Sequence, residues 1–274
     1  MSLEHKTVSF IGCGVMGEAM VKGLLHQKLL SPESIVVSDP RAERGEQLVD
    51  SYGVTYLADN GAAAKAADIV VLAVKPQMMK RVLADIGGEF KESALVMSIA
   101  AGFQIGSIVD GCGNQCVVRA MPNTPGQIGL GMTVWAATEQ VSADQREWAS
   151  LILGAMGNAL FVEDEAYLDM ATAINGTGPS YVFLLMEALI DAGVHLGFSR
   201  HISEELVLQT MRGSVEYAIQ SKLHPAQLRN QVTSPGGTSA AAIYQLEKGG
   251  IRTVISRAIW AAYRRSTELG RKAD

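Results

Sequence analysis

Thr7-Val8-Ser9-Phe10-Ile11-Gly12-Cys13-Gly14-Val15-Met16-Gly17 is the stretch that decides the fold. A short apolar, β-branched run ends in glycines spaced G-x-G-x-x-G, and a segment rich in Ala, Leu and Gly follows as a helix. In that context the pattern has a mechanism. Gly12 and Gly14 allow a tight turn and the close approach of a pyrophosphate, and Gly17 allows close packing of helix on strand. The helix N-terminus, at Val15 and Met16, then offers unpaired amides and the positive end of its dipole to an anion. Packing alone could also explain a glycine-rich strand–helix turn, but its position after a strand and before a helix favours a dinucleotide.

Outward from this loop, short β-branched runs alternate with helical stretches as far as about residue 162. The predicted strands are 7–11, 35–38, 54–56, 69–73, 95–99, 117–120, 132–136 and 160–162. Several are continuous apolar runs, such as Ile69-Val70-Val71-Leu72, as expected for strands covered on both faces of a parallel sheet with crossover helices. After Glu163 such runs stop and helical patterns take over, at 164–173, 180–196, 203–220, 225–231, 239–247 and 251–269. The fold class expected is α/β: a doubly wound, Rossmann-type parallel sheet over residues 1–163, followed by an all-α domain over 164–274.

Composition narrows the function classes. No apolar run approaches the roughly 18 residues of a membrane span. The net charge of −5 comes without a lysine/arginine block, so a nucleic-acid partner is not expected. The N-terminus lacks a signal-peptide pattern, and Cys13, Cys112 and Cys116 form neither a disulfide framework nor paired metal ligands. A reducing cytoplasm is the expected location. His5, His26, His195, His201 and His224 show neither zinc spacing nor a nucleophile partner, so no metal is expected. Asp39, at the end of the second strand and about 20 residues beyond Gly17, is placed to meet the adenosine ribose. An acid there favours NADH. Arg41 and Arg44 follow at once and suit the 2′-phosphate of NADPH, so the coenzyme choice stays open.

Further segments carry a family resemblance. They are Ala73-Val74-Lys75-Pro76-Gln77, Ser98-Ile99-Ala100-Ala101-Gly102, Met121-Pro122-Asn123-Thr124-Pro125, Gly176-Thr177-Gly178-Pro179-Ser180-Tyr181, and His224-Pro225-Ala226-Gln227-Leu228 followed by Val232-Thr233-Ser234-Pro235-Gly236-Gly237-Thr238-Ser239. In their order and spacing, over nearly the whole chain, they resemble pyrroline-5-carboxylate reductase. The resemblance implies reduction of 1-pyrroline-5-carboxylate to L-proline by NADPH or NADH, the last step of proline synthesis. It implies that Ala73, Val74, Lys75, Pro76, Ala100 and Ala101 flank the nicotinamide half of the coenzyme and that Asn60 meets its adenosine side. Asn123 is expected to hydrogen-bond the carboxamide, unless it is merely a turn residue between two prolines. Gly236, Gly237, Thr238 and Ser239, with Thr177, are expected to bind the substrate, its carboxylate resting on amides at a helix N-terminus. Thr238 and Ser239 are the candidate catalytic hydroxyls. The family usually has two threonines there, and Lys222 stands where some members carry a glutamate.

A cyclic imine that binds protonated is already electrophilic and needs only orientation, whereas a neutral imine would need a proton relayed by Ser239 or Thr238. Both remain open. A hydroxyacid dehydrogenase of the 3-hydroxyisobutyrate type would need a lysine four residues before Asn175, where this chain has Ala171. A sensing protein without turnover would lack the 236–239 loop. The helices after 178 are too apolar all round for one wet face, which points to burial by a partner. The resemblance implies a homodimer through these helices, often assembled further as a decamer of five dimers.

Overall fold

The structure is a computed structural model and describes residues 3–273. From the N-terminus, strands and helices alternate: β1 (Val8–Ile11), α1 (Val15–His26), β2 (Ile35–Ser38), α2 (Ala42–Tyr52), β3 (Thr55–Tyr56), α3 (Asn60–Ala66), β4 (Ile69–Leu72), α4 (Met79–Ile86), β5 (Leu95–Ser98), α5 (Ile105–Cys112), β6 (Val117–Met121), β7 (Gly131–Ala137), α6 (Ala143–Gly154) and β8 (Gly157–Phe161). They build one 8-stranded sheet in the order β3-β2-β1-β4-β5-β6-β7-β8. The order reverses between β1 and β4, and the crevice beyond the carboxyl ends of strands at such a switch point is where ligands bind in open α/β sheets.

Alternate residues of each central strand go to opposite faces, and both faces are covered. Val8, Phe10, Ile35, Val37, Ile69 and Val71 pack with α1 and α6 residues such as Met20, Leu24 and Ile152. Ile11, Val36, Val70, Leu72 and Val96 pack with Ala63, Val82, Leu83 and Ile108 from α3, α4 and α5. That double burial is why the strands read as unbroken apolar runs. Local signals set the helix ends. Asp59 caps α3 by accepting from the Ala62 amide at 2.7 Å, and Ser142 with Gln145 forms a reciprocal capping box on α6.

Two features depart from the expected parallel sheet. β7 runs antiparallel to β6, with Ala120 opposite Trp135. The link between them holds only a 3₁₀ turn at Thr124–Ile128, too short for the dozen or more residues of a parallel crossover, so the chain returns as a hairpin-like neighbour. The last strand begins at Gly157 rather than at 160, because β8 pairs along β7 from Gly131↔Gly157 onward.

After β8 come α7 (Ala166–Ala171), a π-helical turn (Thr172–Gly176), α8 (Gly178–His195), α9 (Arg200–Ser221), α10 (Pro225–Gln231), α11 (Thr238–Lys248) and α12 (Ile251–Ala273). The last strand ends at Phe161, two residues before the boundary expected at 163. Compactness divides the chain elsewhere: one unit runs up to Pro179 and includes the stretch from Ala261 on, and the other is Ser180–Trp260. The reason lies in packing. Leu168 of α7 is fully buried with Val134 and Ala136 of β7, and Ser266 of α12 donates a 2.7 Å hydrogen bond to Asp169.

Within Ser180–Trp260 only Ser203 is buried among the described residues. Phe183, Leu184 and Trp260 remain 60%, 66% and 59% exposed. Helices this apolar with so little burial are an interaction surface rather than a self-sufficient core. No helix among the described residues is long and apolar enough to cross a membrane.

Candidate active site

The glycine loop is shaped by its neighbours. Gly12 has φ +84°, and a side chain there would come within 2.4 Å of Val74 Cγ1, so only glycine fits. Gly14 is the N-cap of α1 without a side-chain cap, with open space around its Cα. The first amides of α1 therefore face outward unspent, as an anion requires. Gly17 lies one turn in, where an added Cβ would meet the Gly12 carbonyl at 2.8 Å.

A groove of about 690 Å³ opens beside this loop. It brings together Gly12, Gly14, Val15, Met16, Asp39, Arg41, Ala73, Val74, Lys75, Pro76, Ala100 and Ala101 from the ends of β1, β2, β4 and β5. Asn60 lines an adjoining pocket that shares Gly12, Pro40, Val74 and Met78 with the groove. It accepts from the Ser38 hydroxyl at 2.9 Å and donates to Asp85. Met121 and Pro122 at the end of β6, the far wall of the groove, and Ile99 belong to the segments that carry the family resemblance, whereas Pro40 and Met78 carry no mark in the sequence. Apolar lining residues carry no chemical signal of their own. Only their position after a strand end gives them away.

Asp39 is buried at 4% exposure, and its carboxylate is fully engaged. One oxygen accepts from the Arg41 amide and Nε, the other from the Cys13 amide at 3.2 Å and from Arg41 Nη2. Burial alone would raise this carboxyl, but the side-chain and backbone hydrogen bonds of Arg41 and the Cys13 amide outweigh it and hold it below the usual value. Arg41 itself stays 67% exposed. Asp39 thus ties the glycine loop to α2 while lining the groove beside Arg41. Arg44 does similar work, donating to the Cys13 carbonyl and pairing with Glu18. Burial, with Asp39 nearby, pushes the Cys13 thiol up to about 12, so it is an inert packing group.

Asn123 does not line the groove. Its Nδ2 donates to Asn175 Oδ1 at 2.7 Å and its Oδ1 accepts from the Met132 amide at 2.9 Å. Nδ2 also donates to the Asn175 carbonyl at 3.3 Å, so both ends of the amide have protein partners. Thr177 donates its hydroxyl to the Thr172 carbonyl, doubling the bond that its amide makes to the same oxygen across the π turn.

In the other unit, Gly237 is the N-cap of α11, again without a side-chain cap, and Gly236 before it has φ +71°. Thr238 and Ser239 occupy the first turn, exposed and half-buried respectively. Neither caps the helix, so the first-turn amides and both hydroxyls are available to an anionic ligand. Lys222 ends α9 in the left-handed conformation, φ 54°. No cluster of His, Cys, Asp and Glu suited to a metal occurs among the described residues.

Comparison with known proteins fixes what this arrangement belongs to. Residues 165–269 match the family described as pyrroline-5-carboxylate reductase dimerisation, and residues 7–102 match NADP oxidoreductase coenzyme F420-dependent. Pyrroline-5-carboxylate reductase of Synechocystis is 44% identical over 97% of this chain and 98% of its own length. The chain belongs to the pyrroline-5-carboxylate reductase family. The Pseudomonas aeruginosa reductase is 41% identical over 96% of each chain. The solved structure of Plasmodium falciparum pyrroline carboxylate reductase with NADP bound superposes with a TM-score of 0.89, at 34% identity, over 97% of this chain and 99% of that one. Residues 165–269, from α7 into α12, match this family's dimerisation domain.

Proposed function

We propose that this protein reduces 1-pyrroline-5-carboxylate to L-proline with NADPH or NADH. The observation that carries the reading is the groove itself: a glycine loop with a free helix N-terminus at one side and the ends of β4, β5 and β6 at the other, in a chain of this family. Gly12, Gly14, Val15 and Met16 would hold the pyrophosphate, Arg41 and Asn60 the adenosine side with Asp39 beneath them, and Ala73, Val74, Lys75, Pro76, Ala100 and Ala101 the nicotinamide side. Bound there, the reduced coenzyme supplies the hydride.

The rest of the chemistry belongs to side chains and amides of the protein. The amides of Gly236, Gly237, Thr238 and Ser239 would take the substrate carboxylate at the N-terminus of α11 without a cationic residue. The hydroxyls of Thr238 and Ser239 would orient the ring nitrogen. A protonated imine needs no further acid, so the protein's contribution is mainly orientation. Thr177 supports the π turn through its hydroxyl and offers the substrate at most an acceptor.

The exposed apolar helices of Ser180–Trp260 support burial against a second copy, with a decamer of five such dimers as the larger assembly. A cytoplasmic setting suits three free cysteines and the soluble substrates. The test of function is oxidation of NADPH and NADH followed in parallel with pyrroline-5-carboxylate as acceptor. Substrate-dependent loss of reduced coenzyme supports the reading, and coenzyme binding without turnover replaces it by the sensing alternative.

A further inference from the structure

The asparagine that fails to line the groove is part of a larger arrangement. Asn175 lies in the π-helical turn Thr172–Gly176. Its Nδ2 donates to two main-chain carbonyls, Met121 O at 3.2 Å and Met132 O at 2.9 Å. Its Oδ1 accepts from Asn123 Nδ2 at 2.7 Å, while Asn123 Oδ1 takes the Met132 amide. Two side-chain amides thus bind the last residue of β6, the loop after it and the start of β7 to one turn of helix. Met121 and Pro122 form the wall of the groove on the side away from Asp39 and Arg41. Since the adenosine end of the coenzyme belongs at β2, that wall belongs to the nicotinamide end.

We propose that Asn175, acting through Asn123 and the Met121 and Met132 carbonyls, is a positioning residue that fixes the Met121–Pro122 wall against which the reacting ring is held. The inference rests on the reductase reading of the groove. Three features make it more than a structural bond. π-helical turns are rare and concentrate at functional sites. The turn is closed twice, by the Thr177 amide and hydroxyl on the Thr172 carbonyl. The staple also lands on the carbonyl of a residue that itself lines the groove, so a shift of the staple moves the wall directly. Hydride transfer is sensitive to such shifts, because displacement of about 1 Å can cost on the order of a hundredfold in rate.

The test uses Asn175→Ala, Asn175→Asp and Asn123→Ala in the full chain, each checked for an unchanged dimer and thermal midpoint. Asn175→Asp keeps the shape and the acceptor toward Asn123 but replaces the two donations by a carboxylate oxygen that repels the Met121 and Met132 carbonyls. The expected result is a fall in kcat of roughly tenfold or more, with the dissociation constant for NADPH within about threefold, because the pyrophosphate and adenosine contacts are retained. Nicotinamide fluorescence of the bound coenzyme should lose part of its enhancement, as a less confined ring does. With coenzyme deuterated at the transferred position, the isotope effect on kcat should rise as hydride transfer becomes the slow step. Asn123→Ala combined with Asn175→Ala should lose little more than either alone, since they act as one unit. A folded Asn175→Asp with wild-type kcat, isotope effect and fluorescence overturns the proposal. So does a parallel fall of kcat, coenzyme affinity and thermal midpoint in all three variants, which marks a scaffold bond. If the unaltered protein does not reduce the imine, the reductase reading fails, while the fluorescence comparison still decides whether Asn175 confines the ring.

Discussion

At the scale of single residues, Asp39 and Arg41 act as a pair. The Asp39 carboxylate, which pattern reading places on the ribose, holds the Cys13 amide and the Arg41 guanidinium and lines the groove beside it. Arg41→Ala should therefore weaken NADPH more than NADH. Loss of one charge-assisted contact of about 1.5–3 kcal/mol corresponds to roughly tenfold or more in KM for NADPH alone, read from steady-state kinetics with each coenzyme. Equal effects on both would place Arg41 away from the 2′-phosphate. Ser239, half-buried in the first turn of α11, poses a different question. Ser239→Ala removes one neutral hydrogen bond and should lower kcat/KM about threefold to tenfold if the hydroxyl only orients substrate. A drop on the order of a hundredfold in kcat would instead identify a proton relay. Ser239→Thr should be nearly silent.

At the scale of elements, what the sequence displayed was what depends on neighbours along the chain. The strands of the sheet's centre and the proline-led α10 follow from local patterns, and the structure has them close to where those patterns put them. The antiparallel β7 was hidden because it depends on the length of a link rather than on any motif. The π turn was hidden because its i→i+5 bond has no sequence mark. Asn123 was legible as a polar residue at a strand end, but its partner, Asn175, lies far along the chain and only folding brings them together. The same holds for Arg119 on β6, which is 4% exposed. It pairs with Glu165 at 2.6 Å and with Asp169 at 3.6 Å, and Glu165 also accepts from the Ile105 amide at the start of α5. Arg119 thus ties β6, α5 and α7 together, and through Asp169 and Ser266 it reaches α12. Arg119→Ala leaves two carboxylates without their partner and should cost about 3–5 kcal/mol of stability, measured by denaturant unfolding. A loss under about 1 kcal/mol would show that solvent substitutes for the guanidinium.

At the scale of the whole molecule, the charge arrangement sets an acid limit. In Glu18, Asp39 and Asp68 burial tends to raise the carboxyl, but hydrogen bonds outweigh it: from Arg44 and Tyr52 to Glu18, from Arg41 and Cys13 to Asp39, and from Thr7 and Lys91 to Asp68. Carboxyls held below their unfolded values stabilise the fold above those values, and that stability is lost as pH falls through the lowered ones. The thermal midpoint should therefore be nearly level down to about pH 5 and decline below about pH 4; a midpoint unchanged at about pH 3 would mean that these pairs contribute nothing. The proposed reaction is hydride transfer from the reduced coenzyme to the carbon of the substrate C=N bond. It is tested most directly by supplying pyrroline-5-carboxylate and reduced coenzyme deuterated at the transferred position, then analysing the product by mass spectrometry and NMR. The account predicts L-proline carrying a single deuterium on the ring carbon that was doubly bonded to nitrogen, formed in step with coenzyme oxidation. Proline without deuterium, or oxidised coenzyme without proline, would contradict it.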